Sequence, residues 1–131
     1  MNTLPSIPIS IGELFDKFSI LEIKKIKIED SNKLLYVDKE LGYLKQFTNT
    51  YNLDRSLYNK LKNINLKLWN IEDKLRIKEY NTEFDEEFIE LARSVYFVND
   101  ERSEVKREIN EVFNSDIFEV KSYADYKNRS C

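Results

Sequence analysis

The 131-residue sequence contains no histidine, and this absence excludes more chemistry than any motif in the chain suggests. Without imidazole there is no commonest general base, no commonest transition-metal ligand and no Ser-His or Cys-His nucleophile system. Zinc is therefore not expected, and any metal would be a hard cation held by carboxylate oxygens, such as magnesium, manganese or calcium. A single cysteine, Cys131, excludes an internal disulfide and fits a reducing compartment. There are only two glycines and two prolines, with both prolines before residue 9. The punctuation of a turn-rich β protein is missing, so long uninterrupted helices are the default. No stretch approaches the roughly 18 apolar residues of a membrane span, and MNTLPSIPIS lacks the charged start and apolar run of a signal peptide. These features lead us to expect a cytoplasmic protein without a membrane partner. A net charge of −3 supplies no basic excess, so nucleic acid is not the expected partner either.

What is present reads as helix. A chain of this size can bury roughly two-thirds of its unfolded surface, enough for one domain, 1–131. Residues 1–10 hold both prolines and should run extended. Ser10 and Glu13 then form a capping box for a first helix over about 11–28. Glu13 and Asp16 lie in its first turns and Lys24, Lys25 and Lys27 in its last, as the helix dipole favours. Steps of 100° place Ile11, Leu14, Phe15, Phe18, Leu21, Ile26 and Ile28 on one broad face, with Glu22 inside it. A second helix, about 32–48, has the narrow stripe Leu34, Val37, Leu41 and Leu44.

After a loop at 48–54, Leu57, Leu61, Ile64, Leu68, Ile71 and Leu75 recur at alternating steps of four and three in a third helix, about 55–80. A fourth, from Phe84 to Phe113, carries Phe88, Leu91, Val95, Val98, Val105, Ile109 and Val112, and the chain is expected to be organised around it. A short turn at Asn81 and Thr82 makes these two helices an antiparallel hairpin. Complementary flanks suit that arrangement, the third helix being rich in Lys and the fourth opening on Asp85, Glu86, Glu87 and Glu90. Residues 114–131 lose helical periodicity but keep Ile117, Phe118, Val120, Tyr123 and Tyr126, so this extended tail should pack back. The expected fold is all-α, an antiparallel bundle of about four helices dominated by the hairpin of the third and fourth.

Three strings, SIPISIGELFDKFSILEIK, LWNIEDKLRIKE and ARSVYFVNDERSEVKREIN, together resemble a family of short, uncharacterised bacterial and phage proteins, a domain of unknown function. The resemblance covers most of the chain and implies a freestanding small protein. It carries no established activity.

No catalytic residue and no cofactor is expected. Glu86, Glu87 and Glu90 form an E-E-x-x-E run like that of all-helical nucleotide pyrophosphohydrolases, which bind magnesium with it and a later E-x-x-D pair. Here the later pair fails, because Glu101 and Glu104 give only E-x-x-E and the Glu13/Asp16 pair precedes the run. The anomaly is Arg102, which stands in the apolar stripe between Val98 and Val105, beside Asn99 and Lys106. It has no acid three or four residues away in its own helix, and a buried guanidinium without a partner costs several kcal/mol. Either Glu22 pairs with it across the bundle, or Glu22, Asn99, Arg102 and Lys106 form a site for a small anionic ligand. The leading function is a non-catalytic interaction or regulatory protein of unknown process. The runner-up is a carboxylate- and magnesium-dependent hydrolase of a nucleotide or other phosphate compound. Tyr and Phe residues off the main stripes make a protein partner or a homodimer plausible.

Overall fold

The first helix begins where Ser10, in extended backbone, turns its Oγ back to accept the Glu13 N–H at 3.1 Å. The Glu13 carboxylate turns instead to Lys106 and Lys17, so the capping box is only half made. The two preceding free N–H groups of α1 (Ile11–Lys27) are met from the far end of the chain. Ile11 donates to Ser115 Oγ at 3.2 Å and Gly12 to Asn110 Oδ1 at 2.6 Å, which satisfies donors that every helix start leaves open. The computed structural model describes residues 4–127, and Cys131 lies outside them.

α2 (Ser31–Thr48) is capped by the carboxylate of Asp30, which accepts from Asn32 and Lys33. α3 (Arg55–Tyr80) leads through a short turn into α4 (Glu86–Val112). In the turn Thr82 adopts a φ of 53°, and Lys78 Nζ holds Asp85, Glu83 and Glu87 at 2.7, 3.4 and 3.6 Å. Asp85 caps α4 by accepting the Phe88 N–H, so the helix starts two residues later than periodicity alone implied.

α3 and α4 pack antiparallel, and α1 lies against both; α2 touches α1 alone. The core is Phe15 of α1, Leu61, Ile64 and Ile71 of α3, and Val98, Val105 and Ile109 of α4. At one end Phe15 stacks on Phe113 and meets the edges of Tyr51 and Tyr58. The helix that touches every other is therefore α1, which corrects the expectation that α4 is the organising element. Being flanked on several sides, α1 buries more than one face: Gly12, Asp16, Ser19 and Ile23 as well as Leu14, Phe15 and Leu21. Ile26, assigned by phase to the apolar face, is 72% exposed, because it lines an open hollow with Leu41 and Gly42 of α2 and Lys62 of α3. α2 buries only Val37 and Thr48, as its single neighbour dictates.

Two segments extend this frame. Between Ile71 and Val98 no residue is buried, although Leu75, Leu91 and Val95 still pack along the seam of α3 and α4. The hairpin thus continues as a two-helix arm beyond α1, whose last side chain, Lys27, reaches α3 at Asn70. Residues 114–127 carry neither helix nor strand and run back along α4. Ser115 is buried at the start of α1, Glu119 meets Lys106, and the Tyr126 ring packs edge-on against Tyr96 and Phe97 at 4.8 and 4.9 Å. The Tyr126 hydroxyl donates to Asp100. Among the described residues no helix is long and apolar enough to cross a membrane.

Candidate functional site

Arg102 is answered by Asp16, not by Glu22. Its Nε donates to Asp16 Oδ1 at 3.0 Å and its Nη2 to Oδ2, a two-pronged guanidinium–carboxylate pair between α4 and α1. Asp16 is 1% exposed and Arg102 has a side chain 28% exposed, so the acid is sealed inside while the guanidinium keeps one edge toward the surface. Asn65 of α3 donates its Nδ2 both to Asp16 Oδ1 and to Ser19 Oγ, each at 2.8 Å. Lys106, one turn further along α4, reaches Glu13 at 2.7 Å, Glu119 of the tail at 3.0 Å and Asp16 at 3.5 Å. Asn99 Oδ1 accepts from Arg102 Nη1 at 3.4 Å. The cluster therefore ties α1, α3, α4 and the tail to one point.

Its electrostatics follow from these partners. Burial opposes the charged form of Asp16, but the hydrogen bond and charge of Arg102, helped by Asn65 and Lys106, outweigh it and hold the carboxyl below its ordinary value. The hydrogen bond from Asp16 raises Arg102 in return. Burial pulls Lys106 down, yet Glu13 and Glu119 raise it overall. Glu119 is lowered to about 2 by Lys121 and Lys106. Three carboxylates, Glu13, Asp16 and Glu119, face Arg102 and Lys106, with Lys17 and Lys121 beside Glu13 and Glu119 at the surface, so each of the two inner cations has an acid. Among the described residues no buried side-chain polar atom lacks a hydrogen-bond partner.

Of the four residues singled out from the sequence, Asn99, Arg102 and Lys106 stand together and Glu22 stands apart. Glu22 accepts the Tyr58 hydroxyl proton and lies 3.8 Å from Lys62, both on α3. The expected Glu22–Arg102 pair is thus corrected, and helical geometry explains why. Six residues separate Asp16 from Glu22, which turns the side chain about 120° around α1 and moves it about 9 Å along the axis. Burial and the Glu22 carboxylate together raise the Tyr58 phenol above its usual value.

Sequence reasoning missed Asp16, Glu13, Asn65 and Glu119. A signal for the first was present: Gly12, Asp16 and Ser19 share one face of α1, and a face of small and polar residues is where another helix can come close. The acids of the E-E-x-x-E run do not converge. Glu87 is beside Lys78, Glu86 and Glu90 are exposed, and among the described residues no group of three or more His, Cys, Asp or Glu is arranged to hold a metal ion.

Fold and site together define an all-α bundle of four helices, built on a long antiparallel hairpin and fastened by an internal charge cluster. The chain belongs to DUF6165, a family of unknown function whose model matches residues 6–129, a span that includes all three strings quoted above. No curated protein and no solved structure matches it.

Proposed function

We propose that the protein is a non-catalytic interaction or regulatory module of the cytoplasm, with the hairpin arm as its working surface. The observation that carries this reading is the run from 72 to 97 without a buried residue. In it Ile77, Tyr80, Phe84 and Ile89 stand exposed, Tyr80 at 90%. A fold that only needed a hairpin would end it near Ile71, whereas exposed apolar side chains on a projecting element suit a protein partner. The charge cluster supports the same reading from the inside. A carboxylate or phosphate ligand would meet only the outer edge of Arg102 beside Asn99 unless it displaced Asp16 from Arg102, or Glu13 and Glu119 from Lys106, so the cluster favours fastening over capture. The Lys-, Asn- and Ile-rich composition fits a source with an AT-rich genome, bacterial or phage.

If the arm serves a partner, its apolar side chains contribute little to the fold. Ile77→Ser, Tyr80→Ser and Ile89→Ser are each expected to change unfolding free energy by no more than about 0.5 kcal/mol, as surface positions do. Losses of several kcal/mol in urea titrations would move these residues from the partner surface to the core. The competing hydrolase reading is separated by titrating magnesium and manganese while following the thermal midpoint. A flat response supports the interaction module, and a midpoint that climbs with metal concentration supports the enzyme, because only a ligand of the native state stabilises in that way.

A further inference from the structure

The exposed arm is acidic as well as apolar. Residues 72–97 hold eight Asp and Glu against four Lys and Arg, a net charge of −4. Residues 17–67 hold eleven Lys and Arg against six Asp and Glu, a net charge of +5. A receptacle lies within that basic half. Because α2 packs on α1 and makes no contact with α3, an open groove runs between α2 and α3 with α1 as its floor. It consists of two adjoining hollows of about 400 and 350 Å³ that share Phe18, Glu22 and Lys62. Phe18, Leu41 and Tyr58 give it an apolar lining, and Lys45 and Arg55 stand exposed on its rim.

We infer that the groove of one chain receives the hairpin arm of a second copy, so that Tyr80 and Phe84 enter between α2 and α3 while Glu86 and Glu90 face Lys45 and Arg55. Charge complementarity selects this occupant. The lining of the groove holds Lys25, Lys45, Arg55 and Lys62 against Glu22 and Asp38, a net charge of +2 opposite in sign to that of the arm, and each surface pairs apolar side chains with its charge. Every copy owns one arm and one groove, so the contact can be returned and closed into a two-fold dimer. The inference rests on the interaction reading above and supplies its partner.

Sedimentation equilibrium at low salt tests it by charge exchange. The wild-type chain is expected to dimerise by tens of micromolar and to dissociate as salt screens the contact. A groove variant, Lys45→Glu with Arg55→Glu, and an arm variant, Glu86→Lys with Glu90→Lys, should each be monomeric alone. Mixed in equal amounts they should pair, because each reversed groove then meets a reversed arm and each native groove a native arm. All four positions are exposed, and circular dichroism of each variant checks that the helices persist. A wild-type monomer at every concentration overturns the inference, as does a dimer indifferent to both reversals or a mixture that stays monomeric. None of those results touches the metal titration, nor the arm substitutions when their urea titrations are run at sub-micromolar concentration, where the dimer is dissociated, and these decide the interaction reading separately.

Discussion

Arg102→Met is expected to cost about 3–5 kcal/mol of stability, the usual consequence of removing one partner from a buried ion pair. The substitution leaves the Asp16 carboxylate, 1% exposed, with Asn65 at 2.8 Å and Lys106 at 3.5 Å as its remaining polar partners. Asp16→Leu alone should also be costly, though its stranded partner is better placed, since Arg102 keeps an edge at the surface and Asn65 keeps Ser19. The double variant should lose far less than the sum of the two, with a coupling on the order of 1–3 kcal/mol. Urea titration of the four chains measures that coupling, and additive losses would mean that the two side chains do not meet. Glu22→Leu, combined with Arg102→Met, is expected to be additive, because Glu22 belongs to Tyr58 and Lys62.

The same pair sets an acid limb on stability. The Asp16 pKa is lowered in the fold from an ordinary 3.8, so on acidification the unfolded chain takes up this proton before the native one does. The contribution of Asp16 is complete above 3.8 and is lost as pH falls below it through the depressed native value. Glu119 behaves alike between 4.5 and about 2, where its bonds to Lys121 and Lys106 loosen the tail from α4. Stability followed in urea from about pH 5 to about pH 2 should therefore fall, and fall less steeply in the Asp16→Leu/Arg102→Met chain. An unchanged slope in that variant would assign the acid limb to other carboxylates.

How far the sequence reveals this arrangement depends on the number of neighbours each helix has. α3 and α4 meet mainly each other, so one apolar stripe per helix suffices and their periodicity locates both helices and the hairpin to within a few residues. α1 is sandwiched, and a single-face reading of it fails in a specific way: it promotes Glu22 and Ile26 to the core and leaves Asp16 in the first turn as a dipole-compensating acid. Arg102 was conspicuous because it breaks a stripe, whereas its partner was not, since an acid near a helix N-terminus has an ordinary local explanation. Asn65 and Glu119 were beyond reach for another reason. One is a polar residue beside an intact apolar stripe, and the other sits in a tail without periodicity, where only the path of the chain brings it to Lys106.

The two glycines give the final prediction, in which the same substitution has opposite signs at two helical positions. Gly42, in α2, would meet nothing within 4 Å of an added Cβ. Gly42→Ala should therefore stabilise by about 0.5–1 kcal/mol, because alanine restricts the unfolded chain and loses less freedom in a helix. At Gly12 an added Cβ would stand 2.5 Å from the Lys106 carbonyl oxygen and 2.9 Å from Asn110 Oδ1. The first of these is backbone of α4, which cannot swing aside as a side-chain tip can, so α1 itself must retreat. Retreat stretches the Gly12–Asn110 hydrogen bond, 2.6 Å long, and draws Asp16 away from Arg102 one turn further on. Gly12→Ala is thus expected to destabilise by about 1–3 kcal/mol, the range for overpacking a close contact, against the intrinsic gain of alanine in a helix. Thermal and urea midpoints of the two variants read the signs directly. If Gly12→Ala stabilises as Gly42→Ala does, α1 does not approach α4 at this point, and the fastening of α1 to α4 through Asp16 loses its geometric basis.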